Sequence, residues 1–288
     1  MIPCFGSGQH NLNNKMTSAM KNTMVSVDFW DTLVRADSNG EKRTEARINA
    51  LREVSRRYDK EPTDEAIRQA RSHVSRAFDD EWFGKQRTQS TRELVQGMLD
   101  ALAIPAKPAE VDDLTEAFRE SLFLGPPELA EGVKEALANI SIYSRLAIIS
   151  DTMFSPGSVI RRYLDQVGIL QHFDAFAFSD ELGVSKPHRK AFETVLKATD
   201  ARPERSWHVG DIMKTDIKGA KALGMHAILF TGFSGGVDTD SPSDPDSNKR
   251  LLTNSKGNAS SPSEDLPSPD FVCASWENVA DILISELV

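Results

Sequence analysis

The sequence predicts an α/β protein: a parallel sheet with helices on both faces, and a helical segment inserted after the first strand. Three observations predict it. After Pro127, short apolar runs alternate with amphipathic stretches, the pattern of repeated strand–helix–strand units. Residues 41 to 123 are nearly free of strand-like runs, and apolar residues recur there at helical spacing. The strand-like runs end in Asp28, Ser150, Asp180 and Asp211. Right-handed crossovers would bring those ends, with Asp216 close behind, to one sheet edge, where such sheets bind ligands.

Residues 1–22 are polar and lack the apolar run of a secretory signal, so a flexible N-terminal tail is expected. Met16, Met20 and Met24 leave the natural start open. Val25, Ser26 and Val27 open the core, assigned to residues 23–36 and 125–288, with a buried strand that runs into Asp28-Phe29-Trp30-Asp31-Thr32. Residues 37–124 carry four helical stripes. The first is Ile48, Leu51, Val54 and Tyr58. The second, with Ile67, Ala70, Val74 and Phe78, starts at Thr63, where Asp64 and Glu65 favour a first turn. The third runs from Leu94 to Leu102 and the fourth from Leu114 to Ser121, ended by Pro105 and by Gly125-Pro126-Pro127. Four helices without strands make a small bundle. Trp82 and Phe83 read as packing residues within it.

The core resumes with an amphipathic stretch over 128–140 and a strand over 145–149 that leads into Ser150-Asp151-Thr152. A helix over 156–167 stops at Gly168. A strand over 173–178 follows, then Lys186-Pro187, with Pro187 suited to a first helical turn. A strand over 206–209, with Trp207 and His208 as core residues, ends in Gly210-Asp211. A helix through Ile217, Ala220 and Leu223 ends at Gly224, and His226 to Phe230 is a further strand. Residues 232–270, dense in Ser, Asp, Pro and Gly, are expected to be a mobile insert. Phe271-Val272 and a closing helix complete the chain.

Hydrophobic content of 39% and charged content of 27% suit a soluble globular protein. A net charge of -9 argues against a general nucleic-acid or anionic-membrane binder. No apolar run is long enough to span a bilayer. Cys4 and Cys273 lack metal-ligand spacing, so a reducing, cytoplasmic setting is expected. Oligomeric state is not legible.

Asp28 alone reads better as a turn or helix cap than as a functional residue. Ser150 and Lys186 alone read as capping or surface residues. As a series they fit phosphate chemistry. Ser150 offers a hydroxyl and Lys186 a point charge for a phosphate. Asp28, Asp211 and Asp216 concentrate negative charge that a hard cation with oxygen ligands, such as Mg²⁺, would neutralise. Asp28 could then attack phosphorus.

The series resembles the haloacid dehalogenase (HAD) superfamily of hydrolases. Its Asp-x-Asp-Gly-Thr motif is matched by Asp28-Phe29-Trp30-Asp31-Thr32, its strand-ending Ser or Thr by Ser150, its Lys before Pro by Lys186-Pro187, and its Gly-Asp with a later Asp by Gly210-Asp211 and Asp216. The resemblance implies a Rossmann-like core, a helical cap over 37–124 that shapes the substrate pocket, and a small phosphorylated metabolite as substrate. It implies Asp28 as nucleophile, with Ser150 and Lys186 as its catalytic partners. Mg²⁺ would be held by Asp28, Asp211, Asp216 and the Trp30 carbonyl. Phosphate would be held by Ser150, Lys186 and the backbone N–H groups of Phe29 and Trp30.

One position departs. Where the family's phosphatases carry a general acid, two residues after the nucleophile, this chain has Trp30. A general acid contributes ~10²–10⁴-fold, so its loss weighs most on poor leaving groups. Asp31 is a substitute to be tested, although one residue along a turn points a side chain elsewhere. The expectation is a Mg²⁺-dependent phosphatase or phosphotransferase working through an aspartyl-phosphate. The alternatives are a phosphate-binding module without turnover, a dehalogenase, or a C–P hydrolase using a cap lysine such as Lys42, Lys60 or Lys85. His188 and Arg189 read as helix-opening residues. Arg35 and Arg43 flank the entry to the cap and are not counted as site residues.

Overall fold

A computed structural model describes residues 22–233 and 266–288. The expected tail and most of the expected insert, 1–21 and 234–265, lie outside the described residues. Six parallel strands form the sheet, in the spatial order β5-β4-β1-β6-β7-β8. They are β1 (Met24–Val27), β4 (Arg145–Ser150), β5 (Ala175–Phe178), β6 (Ser206–Gly210), β7 (His226–Phe230) and β8 (Phe271–Cys273). A two-residue antiparallel ribbon, β2 (Val34–Arg35) with β3 (Glu128–Leu129), stands at the neck of the inserted segment.

The first strand lies inside the sheet with both faces covered: all four residues of β1 are buried, Ser26 with its hydroxyl bonded to His208. Val27 pairs with Ile148 on one side and Val209 on the other. The strand order reverses direction at β1, so the chain leaving β1, β4 and β6 enters one crevice, the place where such sheets hold ligands.

Four helices fill the inserted segment: α1 (Gly40–Arg56), α2 (Asp64–Lys85), α3 (Thr91–Ala101) and α4 (Pro108–Leu124). Thr63 caps α2 by accepting from the Ala66 N–H at 3.2 Å, and Ser90 with Glu93 forms a capping box on α3. Their stripes meet in one apolar cluster that includes Leu51, Ile67, Val74, Phe78, Leu94, Leu99, Leu114 and Phe118. Phe154 and Ile212, from the loops after β4 and β6, are buried in the same cluster. The helices therefore sit down on the crevice. Each such fully buried side chain contributes about 1.5–3 kcal/mol.

The remaining helices flank the sheet: α5 (Val133–Ile140), α6 (Gly157–Gln166), α7 (Ser179–Leu182), α8 (Arg189–Ala198), α9 (Lys218–Ala222, after a π-helical turn over Met213–Ile217) and α10 (Trp276–Leu287). Two local expectations change. Pro187 is not in a first turn: α8 begins at Arg189, because His188 caps it by accepting from the Lys190 N–H at 3.2 Å. The strand expected from Phe173 starts at Ala175, since a 3₁₀ turn takes Leu170–His172.

Candidate active site

Asp28 follows β1, and its N–H donates to the Val209 carbonyl at 2.9 Å, which fixes where its carboxylate emerges. The chain then turns through Phe29–Leu33, with the Leu33 and Val34 N–H groups bonded to the Phe29 carbonyl. Asp31, at the glycine position of the resemblance, has φ 49. Left-handed backbone suits glycine, and Asp is among the few other residues that tolerate it. The Asp31 Oδ1 accepts from the Ala36 N–H at 2.9 Å, turned toward the neck.

Lys186 is the hub of the site. Its Nζ lies 2.8 Å from Asp28 Oδ1 and 2.7 Å from Asp216 Oδ1. The side chains of Lys186, Asp28 and Asp216 are 3%, 8% and 0% exposed. Burial alone would discharge the ammonium, but Asp216, Asp28 and Asp151 outweigh it and hold the pKa above the usual lysine value.

Asp216 is locked from all sides. Its Oδ1 also meets His208 Nε2 at 2.9 Å, and its Oδ2 accepts from the Ile212 N–H at 3.1 Å and from the Thr215 hydroxyl at 3.2 Å. Against the penalty of burial, Lys186 and His208 hold its carboxyl well below the usual range. Gly210 is required here, since a Cβ would stand 2.4 Å from the Asp216 Cγ. His208 is a core residue, as expected. It links Asp216 to Ser26, whose Oγ is 2.9 Å from Nδ1.

Asp28, Asp211 and Asp216 bring carboxylate oxygens within 4.8 Å of one another. Burial, then Asp216 and Asp28, raises the Asp211 pKa well above the usual value, and its Oδ1 is buried without a hydrogen-bond partner. Burial likewise raises Asp28, against the pull of Lys186. An orphaned oxygen and a surplus of carboxylates over one ammonium fit a hard divalent cation.

The expected site residues do not all converge. Ser150, 1% exposed, is not among the residues lining the cleft; its hydroxyl has the Asp151 carbonyl as acceptor at 3.4 Å. Phe29 is fully buried against Tyr163 and Trp30. Asp180 turns away: it accepts from the Thr152 hydroxyl and from the Gly157 N–H, both at 3.0 Å, at the start of α6. Trp30 lines the cleft.

Several cleft residues were not counted as site residues from sequence, Asp151, Trp82 and Arg43 among them. Asp151 accepts from the Lys186 N–H at 3.0 Å and from Trp82 Nε1 at 2.9 Å. Burial raises its pKa to about 7 despite Lys186. Its signal was its place directly after Ser150. Trp82 is 5% exposed, so it packs as expected, yet it also lines the cleft. Arg43 lines the cleft with Arg47 and braces the neck: it donates to the Gly125 carbonyl at 2.6 Å, to that of Ser38 at 2.9 Å and to that of Ala36. Arg35 is exposed and pairs with Asp37. Lys186 is the lysine among the described residues that line the cleft. Lys60 donates to the Ala103 carbonyl and Lys85 pairs with Glu81, so neither is placed for a Schiff base.

A parallel sheet with a helical lid over a nucleophile-sized carboxylate, a buried lysine and an acidic trio defines a hydrolase of the HAD class. The comparison with protein families agrees: a haloacid dehalogenase-like hydrolase model matches residues 23–224, and the chain belongs to that family. The glyceraldehyde 3-phosphate phosphatase of Methanothermobacter thermautotrophicus is 40% identical over 87 residues, 30% of this chain and 36% of that protein. The ribulose-1,5-bisphosphate 5-phosphatase of Halopiger xanaduensis is 29% identical over 133 residues, 46% of this chain and 49% of that protein. The chain spans between 24% and 55% of the length of these and similar curated relatives. A 2-haloacid dehalogenase from Pseudomonas syringae has the same fold, with a TM-score of 0.64 and 20% identity over 92% of this chain and 99% of that one. Among the described residues no helix is long and apolar enough to cross a membrane.

Proposed function

We propose that this chain is a cytoplasmic, Mg²⁺-dependent phosphatase that acts on a small phosphorylated metabolite through Asp28. The observation that carries the reading is the buried Asp28–Lys186–Asp216 ion-pair chain beside the orphaned Asp211 oxygen. The phosphatase names of two relatives support it.

Lys186 orients Asp28 and presents its ammonium to a phosphoryl oxygen. The N–H groups of Phe29 and Trp30 are the further donors, and the Ser150 hydroxyl would join them by turning from the Asp151 carbonyl. An Asp28 oxygen attacks phosphorus, the bond to the leaving oxygen breaks, and an aspartyl-phosphate forms. Water then attacks that phosphorus, releasing phosphate and restoring Asp28. Asp28, Asp211 and the Trp30 carbonyl would hold Mg²⁺. Asp216, with both oxygens engaged, would serve as the third carboxylate and as the anchor of Lys186. When bound, Mg²⁺ supplies positive charge that keeps Asp28 and Asp211 ionised side by side and offsets charge on the phosphoryl oxygens. The cap of residues 37–124 closes the cleft on the leaving-group side, where its side chains would select the substrate.

The test is phosphate release from acetyl phosphate, an aryl phosphate, sugar phosphates and nucleotides, with Mg²⁺ or EDTA, for wild type and Asp28→Asn. Expected is Mg²⁺-dependent release abolished by Asp28→Asn, with Mg²⁺ binding weakened by Asp211→Asn. No release from any member while Mg²⁺ still binds would replace this reading with a binding module.

A further inference from the structure

We infer that Asp151 is the proton donor to the leaving group, in place of the acid that Trp30 displaces, with Trp82 of the cap as its positioning residue. The inference rests on the phosphatase reading above and adds a residue to it.

Elimination within the cleft points to Asp151. Among the described residues that line the cleft, the ionisable side chains are Asp28, Arg43, Arg47, Asp151 and Lys186. Asp28 is the nucleophile. Arginine does not release a proton in proteins. Lys186 is clamped as an ammonium by Asp28 and Asp216. Asp31, the substitute considered from sequence, is not among the lining residues and is bonded to the Ala36 N–H. Asp211, beside the lining, is taken by the cation in the reading above. Asp151 remains, and it stands between floor and cap. Its Oδ1 accepts from the Lys186 N–H, in the same residue whose Nζ touches Asp28. Its Oδ2 accepts from the indole N–H of Trp82, on α2 of the cap.

The contact with Trp82 is one of several that join cap and core at this point. The Ser185 N–H donates to the Gln86 carbonyl at 2.8 Å, and the Thr91 hydroxyl to the Met153 carbonyl at 3.3 Å. A substrate whose phosphoryl group meets Asp28 extends its leaving group toward the cap, the side on which Asp151 is held. Each Asp151 oxygen uses one acceptor position in these bonds and keeps a second for a proton or a substrate atom.

The step balances. Asp28 forms a bond to phosphorus, the bond from phosphorus to the leaving oxygen breaks, and the Asp151 carboxyl proton passes to that oxygen. In hydrolysis the Asp151 carboxylate takes a proton from the attacking water as the bond from phosphorus to Asp28 breaks. A pKa of about 7 lets one group serve both half-reactions near neutrality. The charges facing Asp151 are Lys186 and Asp28 from the core, with Arg43 and Arg47 of α1 on the same cleft.

The experiment compares wild type, Asp151→Asn, Asp151→Glu and Trp82→Phe on phosphates of graded leaving group: acetyl phosphate, 4-nitrophenyl phosphate, phenyl phosphate and an alkyl phosphate. Asp151→Asn is expected to lower kcat/KM for the alkyl phosphate by on the order of 10²–10⁴-fold. The loss for acetyl and 4-nitrophenyl phosphate should stay below about tenfold, because those leaving groups depart without a proton. The wild-type rate on the alkyl ester should fall as pH rises through about 7, where Asp151 loses its proton. That limb should be absent in Asp151→Asn and partly restored in Asp151→Glu. Trp82→Phe, which keeps the packing and loses the N–H, should move the limb to higher pH, since that bond favours the carboxylate. A loss equal across all leaving groups would assign Asp151 a structural role and overturn the inference, as would no loss on the alkyl ester. If wild type releases nothing even from acetyl phosphate, the phosphatase reading itself has failed and takes this one with it.

Discussion

On the sheet side of the cleft, Lys186 is held between Asp28 and Asp216 at 2.8 and 2.7 Å, and all three side chains are nearly lost to solvent. On the cap side, Arg43, Arg47, Phe78 and Trp82 form the wall. There Arg47 lies over the Phe154 ring at 4.5 Å, and Phe78 is near Trp82 at 5.8 Å. The floor is held by charges that would each be costly alone. The wall is held by aromatic packing and by backbone carbonyls that Arg43 collects. A buried ion pair resists being halved, because removing one partner strands the other. A packed wall tolerates trimming, because each contact contributes little.

Breaking the floor should have the largest effects. Asp28→Asn should lower phosphate release by on the order of 10⁴-fold or more and leave no phosphorylated protein in intact mass spectra after exposure to acetyl phosphate. Lys186→Met should cost about 3–5 kcal/mol of unfolding free energy in urea, since Asp28 and Asp216 would remain buried without their cation. Adding Asp216→Asn to that variant should recover part of the loss. A cost under about 1 kcal/mol would mean that the floor is not a charge-paired interior.

The wall should yield less. Arg43→Ala should cost about 1–3 kcal/mol and speed proteolysis at the two crossings it braces, near Ala36 and near Gly125. Acid sharpens the same contrast. The Asp216 pKa is depressed in the folded state, so its contribution is present above the unfolded carboxyl value of 3.8 and is lost as pH falls through the lower folded value. Urea midpoints of wild type should thus fall below pH 4, with Asp216→Asn flatter over that window. The smallest stability change is expected for Trp82→Phe, about 1 kcal/mol for one hydrogen bond, which makes it the cleanest probe of Asp151.

Much of the floor was legible because its members end strands or open turns in a fixed series. Asp28 follows β1, Gly210-Asp211 follows β6, and Lys186 sits just before the turn into α8. Local sequence announces each position, and the parallel sheet gathers the ends. The wall was less legible. Trp82 sits in an amphipathic helix where a buried aromatic reads as packing, and it does pack. That its indole N–H also reaches Asp151, 69 residues away, depends on how the cap sits on the core. Asp151 itself reads as the turn residue after a strand. Ser150, read as a phosphate ligand, is buried, and its hydroxyl has the Asp151 carbonyl as acceptor.

By itself the sequence determined the alternation that makes a parallel sheet, the four-helix insertion, and the carboxylates and lysine that meet at the sheet edge. These follow from periodicity and from the geometry of strand ends, which are local properties. Only the tertiary structure decided that Asp216 spends both oxygens on Lys186, His208 and backbone, that Asp31 gives an oxygen to the Ala36 N–H at the neck, and that Asp151 lies between Lys186 and Trp82. A carboxylate's role is set by the charges and donors around it, and here those come from residues as far apart in the chain as Asp28 and Lys186.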